Sequence, residues 1–176
     1  MSRTPPAAPA TETAVLCRAL AAALVAKGWM MATAESCTGG LIAGACTDLS
    51  GSSNWFERGF VTYSNQAKSD MLGVDAALIA REGAVSAAVA RAMVQGALRH
   101  APVQVAVAVT GVAGPTGGSA DKPVGTVWFG WNIGGVAHTE MRRFDGDRAA
   151  VRSATVIHAL SRLLALVEAH GAPATP

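Results

Sequence analysis

The sequence predicts a three-layer α/β/α domain on a mixed, mostly parallel sheet of about five strands that ends in an antiparallel hairpin. Strand-like apolar runs alternate with helical segments, which is typical of a sheet with helices on both faces. The run 103–109, VQVAVAV, places four valines on one face and Gln104, Ala106 and Ala108 on the other, as in a buried strand covered on both faces. Two later strand-like segments meet at Gly134-Gly135, which indicates a hairpin.

The first part of the chain supplies two predicted helices and two predicted strands. Residues 11–27 are rich in Ala and Leu and stop at Gly28, a common helix terminator. The apolar run 29–34 predicts a strand, which leads through a glycine-containing turn into a segment with helical spacing, 41–47. The run 57–63 predicts the second strand because it carries aromatic and β-branched residues.

The second part of the chain predicts three helices and three strands. A helix over 65–72 ends at Gly73, and Ser86 can cap a helix that runs to about Arg99. The last helix begins near Asp147. Its apolar stripe consists of Val156, Leu160, Leu163 and Val167. The strands are 103–109, 125–131 and 136–144.

Length and composition predict a single domain over 11–170, with flexible tails at 1–10 and 171–176. Of the 176 residues, 51% are hydrophobic and 15% charged, which excludes a disordered chain. No targeting segment is evident, and the apolar stretch 14–26 is interrupted by Arg18 and too short to cross a membrane. A net charge of +2 gives no reason to expect nucleic acid or an anionic membrane as a partner. We expect a cytoplasmic protein.

Neither metal nor cofactor chemistry is expected from the motifs. The three cysteines contain no CxxC pair, and the four histidines are dispersed without metal-ligand spacing. The sequence also contains no GxxxxGK[ST] phosphate loop, no GxSxG elbow, and no GxGxxG after the first strand. The predicted site therefore has to work with ordinary side chains.

Three loops should meet at the carboxyl edge of the sheet, where open α/β folds bind ligands. They carry AESCTGG (34–40), YSNQAK (63–68) and TGVAGPTGGS (110–119). Chain order alone places them there, because each follows a predicted parallel strand. Together they predict one crevice.

Ser36 is predicted to lie at the start of a helix, where two roles are open. Its hydroxyl can simply cap the helix, or it can act as a nucleophile whose oxyanion is held by the free N–H groups of the helix. Gly39 and Gly40 would let a substrate approach the backbone closely. Cys37 is the rival nucleophile, and its alternative is a buried residue of hydrophobic character.

Lys68 is either a solvated helix residue or a general base. A base must be neutral, so burial or a nearby cation would have to lower the pKa of its amine. Tyr63 could relay a proton, hold the amine by a hydrogen bond, or pack at the end of its strand. Ser64, four residues before Lys68, could face the same amine.

Five blocks of sequence carry a resemblance to a known family: TAESCTGG (33–40), GSSNWFERGFVTYSNQAKSDMLGV (51–74), GAVS (83–86), VTGVAGPTGGSADKPVGTVWFG (109–130) and FDGDRAAVR (144–152). They resemble the C-terminal domain of the CinA family, and more closely its free-standing nicotinamide mononucleotide amidohydrolases of the PncC type. The resemblance runs from about Thr11 to Ala169, nearly the whole predicted domain.

The resemblance implies hydrolysis of the carboxamide of nicotinamide mononucleotide to nicotinate mononucleotide and ammonia, without metal or cofactor. Carried over by motif, the catalytic residues are Ser36, Tyr63 and Lys68. The predicted substrate-binding residues are Cys37, Thr38, Gly39, Gly40, Asn65, Thr110, Gly111, Gly114 and Arg148. The nucleotide is the expected small-molecule partner, and the resemblance suggests a homodimer or higher homo-oligomer.

The alternative function is a non-catalytic, nucleotide-binding regulatory domain of the CinA type, which would keep the pocket without the reaction. The presence of all three predicted catalytic residues argues against it. A reductase that pairs Tyr and Lys four residues apart is disfavoured, because here Tyr63 and Lys68 are five apart and the glycine fingerprint is missing.

Overall fold

The computed structural model describes residues 11–171, so the predicted tails lie outside it except for Gly171. The helices are α1 Glu12–Lys27, α2 Leu41–Thr47, α3 Asn65–Leu72, α4 Ala76–Glu82, α5 Ala87–His100 and α6 Arg148–Ala169. The strands are β1 Met31–Glu35, β2 Phe56–Val61, β3 Val105–Gly111, β4 Thr126–Ile133 and β5 Val136–Arg143. A single 3₁₀ turn, Ser52–Asn54, lies in the loop before β2.

The strands form one mixed sheet in the order β2-β1-β3-β4-β5. β1 pairs in parallel with both β2 and β3, while β4 is antiparallel to β3 and to β5. Four of the five strands therefore point the same way, and β4 with β5 forms the terminal hairpin. The predicted fold class is confirmed.

The two faces of β3 pack against different helices, which gives the domain its three layers. Val105, Val107 and Val109 pack into the larger core cluster, together with α1 and α6. Ala106 and Ala108 pack into the other cluster, which is formed mainly by α5. Small residues suit that face because α5 lies close to the sheet: a Cβ at Gly130 of β4 would come within 2.6 Å of a backbone carbonyl of α5.

Most element boundaries match the predictions because capping residues mark them. Thr11, Ser64, Ser86 and Asp147 each accept a hydrogen bond from the first turn of the helix that follows. Local patterns do not predict α4, because its seven residues bury only Ile79 and show no apolar stripe.

The last helix is the main support of the larger core. The four residues of its predicted apolar stripe are all buried. Among the described helices, α6 is the one with the length and apolar composition to cross a membrane, at a mean hydropathy of 1.4. Here its buried stripe packs against the sheet and α1, which is the arrangement of a core helix. Trp55, just before β2, is also buried in this core.

Candidate active site

The carboxyl ends of β1, β2 and β3 lie at one edge of the sheet, and a cavity of about 180 Å³ opens there. The register of the strands brings these ends together, since Glu35 at the end of β1 lies opposite both Val61 of β2 and Val109 of β3. Eight of the twelve residues predicted for catalysis or substrate binding line the cavity: Ser36, Cys37, Tyr63, Asn65, Lys68, Thr110, Gly111 and Arg148.

Ser36 and Lys68 are in direct contact. The Ser36 N–H donates to the carbonyl of Val109 at 3.0 Å, which ties this residue to the end of β3. Lys68, on α3, reaches back toward the strand ends so that its Nζ lies 3.0 Å from the Ser36 Oγ. The serine hydroxyl and the lysine amine are therefore within proton-transfer distance.

The surroundings of Lys68 suit a neutral amine. Its side chain is only 1% exposed, and its Nζ donates to the carbonyls of Thr62 at 2.9 Å and Tyr63 at 3.4 Å. A neutral amine has two N–H donors and one lone pair. With both donors directed at carbonyls, the lone pair remains for the Ser36 hydroxyl. Burial lowers the pKa of Lys68, which favours this neutral form.

Cys37 lines the same cavity but is a poor nucleophile at neutral pH. Its side chain is 6% exposed, and burial raises the pKa of its thiol to about 11. Because the thiolate is the reactive form of cysteine, a protonated, buried thiol is inert. This favours Ser36 over Cys37 and agrees with the hydrophobic role left open for Cys37.

The prediction that Ser36 begins a helix is wrong. The helix α2 begins at Leu41, and residues 36–40 form a turn in which Gly39 and Gly40 have φ values of 60° and 99°. Those left-handed conformations interrupt the helical path, and glycine adopts them without a steric penalty. At the start of α2 the N–H groups of Gly40, Ile42 and Ala43 donate to the carboxylate of Glu35, so they do not serve the cavity.

Tyr63 lies in the site with its phenol turned away from the lysine. Its side chain is 61% exposed, and its Oη accepts a hydrogen bond from Arg148 Nη2 at 3.1 Å. Within residues 11–171 only its backbone carbonyl contacts the Lys68 amine. Ser64 does not face Lys68 either, because its hydroxyl caps α3 by accepting from the Ala67 N–H at 3.0 Å.

Four predicted substrate-binding residues do not line the catalytic cavity. Thr38 is fully buried and, with Gly39, belongs to the turn that follows Ser36. Gly40 lines a separate cavity of about 430 Å³ between α1, α2 and α6. Gly114 lies beside the site, where its carbonyl accepts from Arg148 Nη1 at 3.1 Å. Their roles in substrate binding stay predictions.

Sequence reasoning missed two residues of the site, Glu35 and Arg152. Glu35 ends an otherwise apolar strand, and an acidic residue there, just before a helix, is a recognisable signal of helix capping. Arg152 lies one helical turn after Arg148, and its Nη2 donates to the carbonyl of Thr38 at 2.9 Å. The four-residue spacing on α6 could have indicated that both arginines face the site.

A second cavity adjoins the catalytic one. It measures about 640 Å³ and shares Ala113 and Arg148 with the catalytic cavity. Arg152 also lines it, as does Asp147, whose carboxylate caps α6 by accepting from the Ala150 N–H at 2.9 Å. In the described part of the chain neither arginine forms an ion pair, so both retain charge for an anionic ligand.

The sequence matches the family model described as the CinA C-terminal domain over residues 13–167. It is 54% identical over 146 residues to a nicotinamide-nucleotide amidohydrolase PncC from Enterobacter agglomerans, covering 82% of this chain and 89% of that protein. It is 58% identical over 134 residues to a protein of the same name from Pseudomonas putida, covering 76% and 84% of the two chains.

Solved structures agree with the sequence match. The crystal structure of the competence/damage inducible protein CihA from Agrobacterium tumefaciens superimposes with a TM-score of 0.85 at 47% sequence identity. The match covers 94% of this chain and 99% of that one. The similarity therefore includes the whole sheet and the helices on both of its faces.

Proposed function

Because the chain belongs to the CinA C-terminal domain family, we propose that it hydrolyses the carboxamide of nicotinamide mononucleotide to nicotinate mononucleotide and ammonia. Ser36 is the nucleophile and Lys68 the general base. One observation carries this proposal: the buried Lys68 amine lies 3.0 Å from the Ser36 Oγ and within 2.9 and 3.4 Å of two backbone carbonyls that accept from it.

In the first half of the reaction the Ser36 Oγ attacks the amide carbon while Lys68 takes the hydroxyl proton. The tetrahedral intermediate collapses when its C–N bond breaks, and the departing nitrogen leaves as ammonia after receiving the proton that Lys68 took, directly or through Tyr63. The cationic pyridinium ring withdraws electrons from the carbonyl and makes it more susceptible to attack. Water then attacks the acyl-enzyme while Lys68 accepts its proton, the bond between the acyl carbon and the Ser36 Oγ breaks, and Lys68 returns the proton to that oxygen.

The oxyanion needs donors other than the first turn of α2, which Glu35 occupies. In the turn after Ser36, the Gly39 N–H donates to the Ser36 carbonyl at 3.1 Å. Among the described backbone hydrogen bonds the N–H groups of Cys37 and Thr38 have no acceptor, and these two residues directly follow Ser36 in the turn. We assign them to the oxyanion, the position at which preorganised donors accelerate acyl transfer.

The remainder of the mononucleotide fits beside the catalytic cavity. A cavity of about 180 Å³ is smaller than usual ligand pockets, whereas the adjoining cavity of about 640 Å³ falls within their range. We place the reactive carboxamide in the small cavity and the ribose and phosphate in the larger one. Arg148 and Arg152, which form no ion pair within residues 11–171, then supply charge to the phosphate.

The test of this function is ammonia release from nicotinamide mononucleotide, measured against free nicotinamide and glutamine. We expect rapid release from the mononucleotide and little from the other two amides. No release from any of the three by a folded protein would favour the alternative, a nucleotide-binding regulatory domain. The contact between Ser36 and Lys68 counts against that alternative, since mere nucleotide binding does not require it.

Arg148→Ala should chiefly raise the KM for the mononucleotide. Loss of a charged hydrogen-bond donor to a phosphate lowers kcat/KM by about 10- to 100-fold. Because the guanidinium also donates to the Tyr63 phenol, Tyr63→Phe measures the loss of that contact together with any proton transfer through the phenol. Arg91→Ala, at an exposed position on α5, is the matched control. Equal turnover of nicotinamide riboside and its phosphate by the unmodified protein would contradict phosphate recognition.

Ammonia release should survive chelation. Lys68 can activate Ser36 without a Lewis acid, and residues 11–171 contain no group of three metal-ligating side chains. We expect unchanged kcat after dialysis against EDTA. A loss of activity that a divalent cation restores would show that the mechanism is different.

The homo-oligomer expected from the resemblance stays a prediction. Sedimentation equilibrium measures it directly, and a monomer at micromolar concentration would contradict it.

A further inference from the structure

Glu35 is a buried carboxylate that the proposed reaction does not use. It is the last residue of β1 and is 1% exposed. Its Oε2 accepts from the Thr38 hydroxyl at 2.6 Å and from the N–H groups of Gly40 and Ile42 at 3.1 and 3.0 Å. Its Oε1 accepts from the Ala43 N–H at 2.8 Å. Within residues 11–171 no basic side chain forms an ion pair with it.

The four donors are what makes a buried charge tolerable at this position. An isolated carboxylate is costly to remove from water, but hydrogen bonds to an ionised acceptor are about twice as strong as neutral ones. Three of the donors are backbone groups around the start of α2, where the helix dipole also favours negative charge. The carboxylate therefore joins the end of β1 to the start of α2 across the intervening turn.

That turn is the segment that carries Ser36. Thr38, at its centre, is held from two sides, since its hydroxyl donates to Glu35 and its carbonyl accepts from Arg152 at 2.9 Å. The backbone on the other side of Ser36 is held by the sheet, where the Thr62 N–H donates to the Glu35 carbonyl at 2.8 Å. The direction of the serine hydroxyl and of the next two N–H groups follows from these attachments.

We propose that Glu35 is a positioning residue, whose four hydrogen bonds hold the turn 36–40 so that the Ser36 hydroxyl meets Lys68 and the following N–H groups meet the oxyanion. The inference rests on the proposed function for its chemistry and on the hydrogen bonds of Glu35 for its geometry. A small displacement of this turn would matter, because a misplacement of reacting groups by about 1 Å can reduce turnover by about 100-fold.

Glutamine cannot replace Glu35, although it has the same shape. Its single carbonyl oxygen can take the place of Oε2, but its amide group then presents N–H donors to the Ala43 N–H, which needs an acceptor. In either orientation of the glutamine amide, its N–H group faces a backbone N–H group, and neither of them can accept a hydrogen bond. The turn would have to move to relieve this, while β1 and the core below it are unaffected.

The experiment compares Glu35→Gln, Thr38→Val and Thr38→Ser with the unmodified protein, and uses Glu168→Gln, at an exposed position on α6, as the matched carboxylate control. Two rates are measured: ammonia release from nicotinamide mononucleotide, and covalent labelling of Ser36 by an alkyl fluorophosphonate, detected by mass spectrometry. Thermal unfolding reports the stability of each variant.

We expect Glu35→Gln to lower kcat by about 100-fold while KM changes by less than about threefold, with a parallel fall in the labelling rate. Thr38→Val should lower both rates by about tenfold, and Thr38→Ser, which keeps the hydroxyl, should restore them. Normal kcat and labelling in folded Glu35→Gln would reduce Glu35 to a stabilising residue and overturn the proposal.

The two readouts separate this proposal from the proposed function. If the unmodified protein is labelled at Ser36 but releases no ammonia from the mononucleotide, the substrate is wrong, and the labelling rates still test Glu35. If Glu35→Gln does not fold, the comparison of Thr38→Val with Thr38→Ser tests the positioning role. Equal rates for folded Thr38→Val and Thr38→Ser would then overturn the positioning role, and a deficit in Thr38→Val alone would support it.

Discussion

Replacing Ser36 with alanine should abolish ammonia release and leave the fold intact. The hydroxyl is the only group lost, and among residues 11–171 its hydrogen-bond partner is the Lys68 amine in the cavity. Because nucleophile and base act as a unit, we expect kcat to fall by at least about 10⁴-fold. A stopped assay for ammonia with purified protein measures this, and thermal unfolding verifies that the variant is folded.

Cys37→Ala is the paired control and should keep nearly normal kcat. The raised pKa of the Cys37 thiol leaves it protonated, so its removal takes no reactive group from the site. An active Ser36→Ala together with an inactive Cys37→Ala would transfer the nucleophile to the thiol. Loss of activity in both variants would instead indicate that the volume of Cys37 is needed to shape the cavity.

Lys68→Met should fail almost as completely as Ser36→Ala. Methionine has a similar length but accepts no proton, and loss of a general base costs about 10²- to 10⁴-fold in rate. Lys68→Arg should fail too, because a guanidinium keeps its charge at every accessible pH and is larger than the space the amine fills. Near-normal kcat in Lys68→Arg would make the residue an electrostatic anchor and require another base.

The unmodified protein should show the matching pH profile. The protonated amine cannot accept the Ser36 proton, so kcat/KM rises as the pH increases through the pKa of Lys68. Burial lowers that pKa, so this rise should occur below the pH at which free lysine titrates. A kcat/KM profile without such an ionisation, or with one at the value of free lysine, would contradict the role of the buried amine.

The order and boundaries of most elements could be predicted because they depend on local signals. Ser86 and Asp147 cap helices where the sequence indicates them, and Gly28 and Gly73 end helices in left-handed conformations. The alternation of valine and alanine in 103–109 describes a strand covered on both faces, and the structure buries both. Family resemblance, rather than spacing, selected the serine, tyrosine and lysine.

The bounds of α2 agree with the segment 41–47 that the sequence predicts, but its cap could not be predicted. Sequence alone favours Ser36 as the cap, since a serine before an apolar segment is a usual N-cap. In the folded chain the Glu35 side chain takes the cap position, which its location at the buried end of β1 makes available. The cap therefore comes from the strand and not from the turn.

The amino-acid sequence by itself determined the succession of strands and helices apart from α4, the fold class and the candidates Ser36, Tyr63 and Lys68, because these follow from local patterns and from resemblance. Only the tertiary structure decided which candidates touch. Parallel pairing of β1 and β2 and the return of α3 bring Ser36 and Lys68 together across 32 residues of chain, and they direct the Tyr63 phenol to Arg148 instead. Burial, which no local pattern encodes, then lowers the pKa of Lys68 and raises that of Cys37.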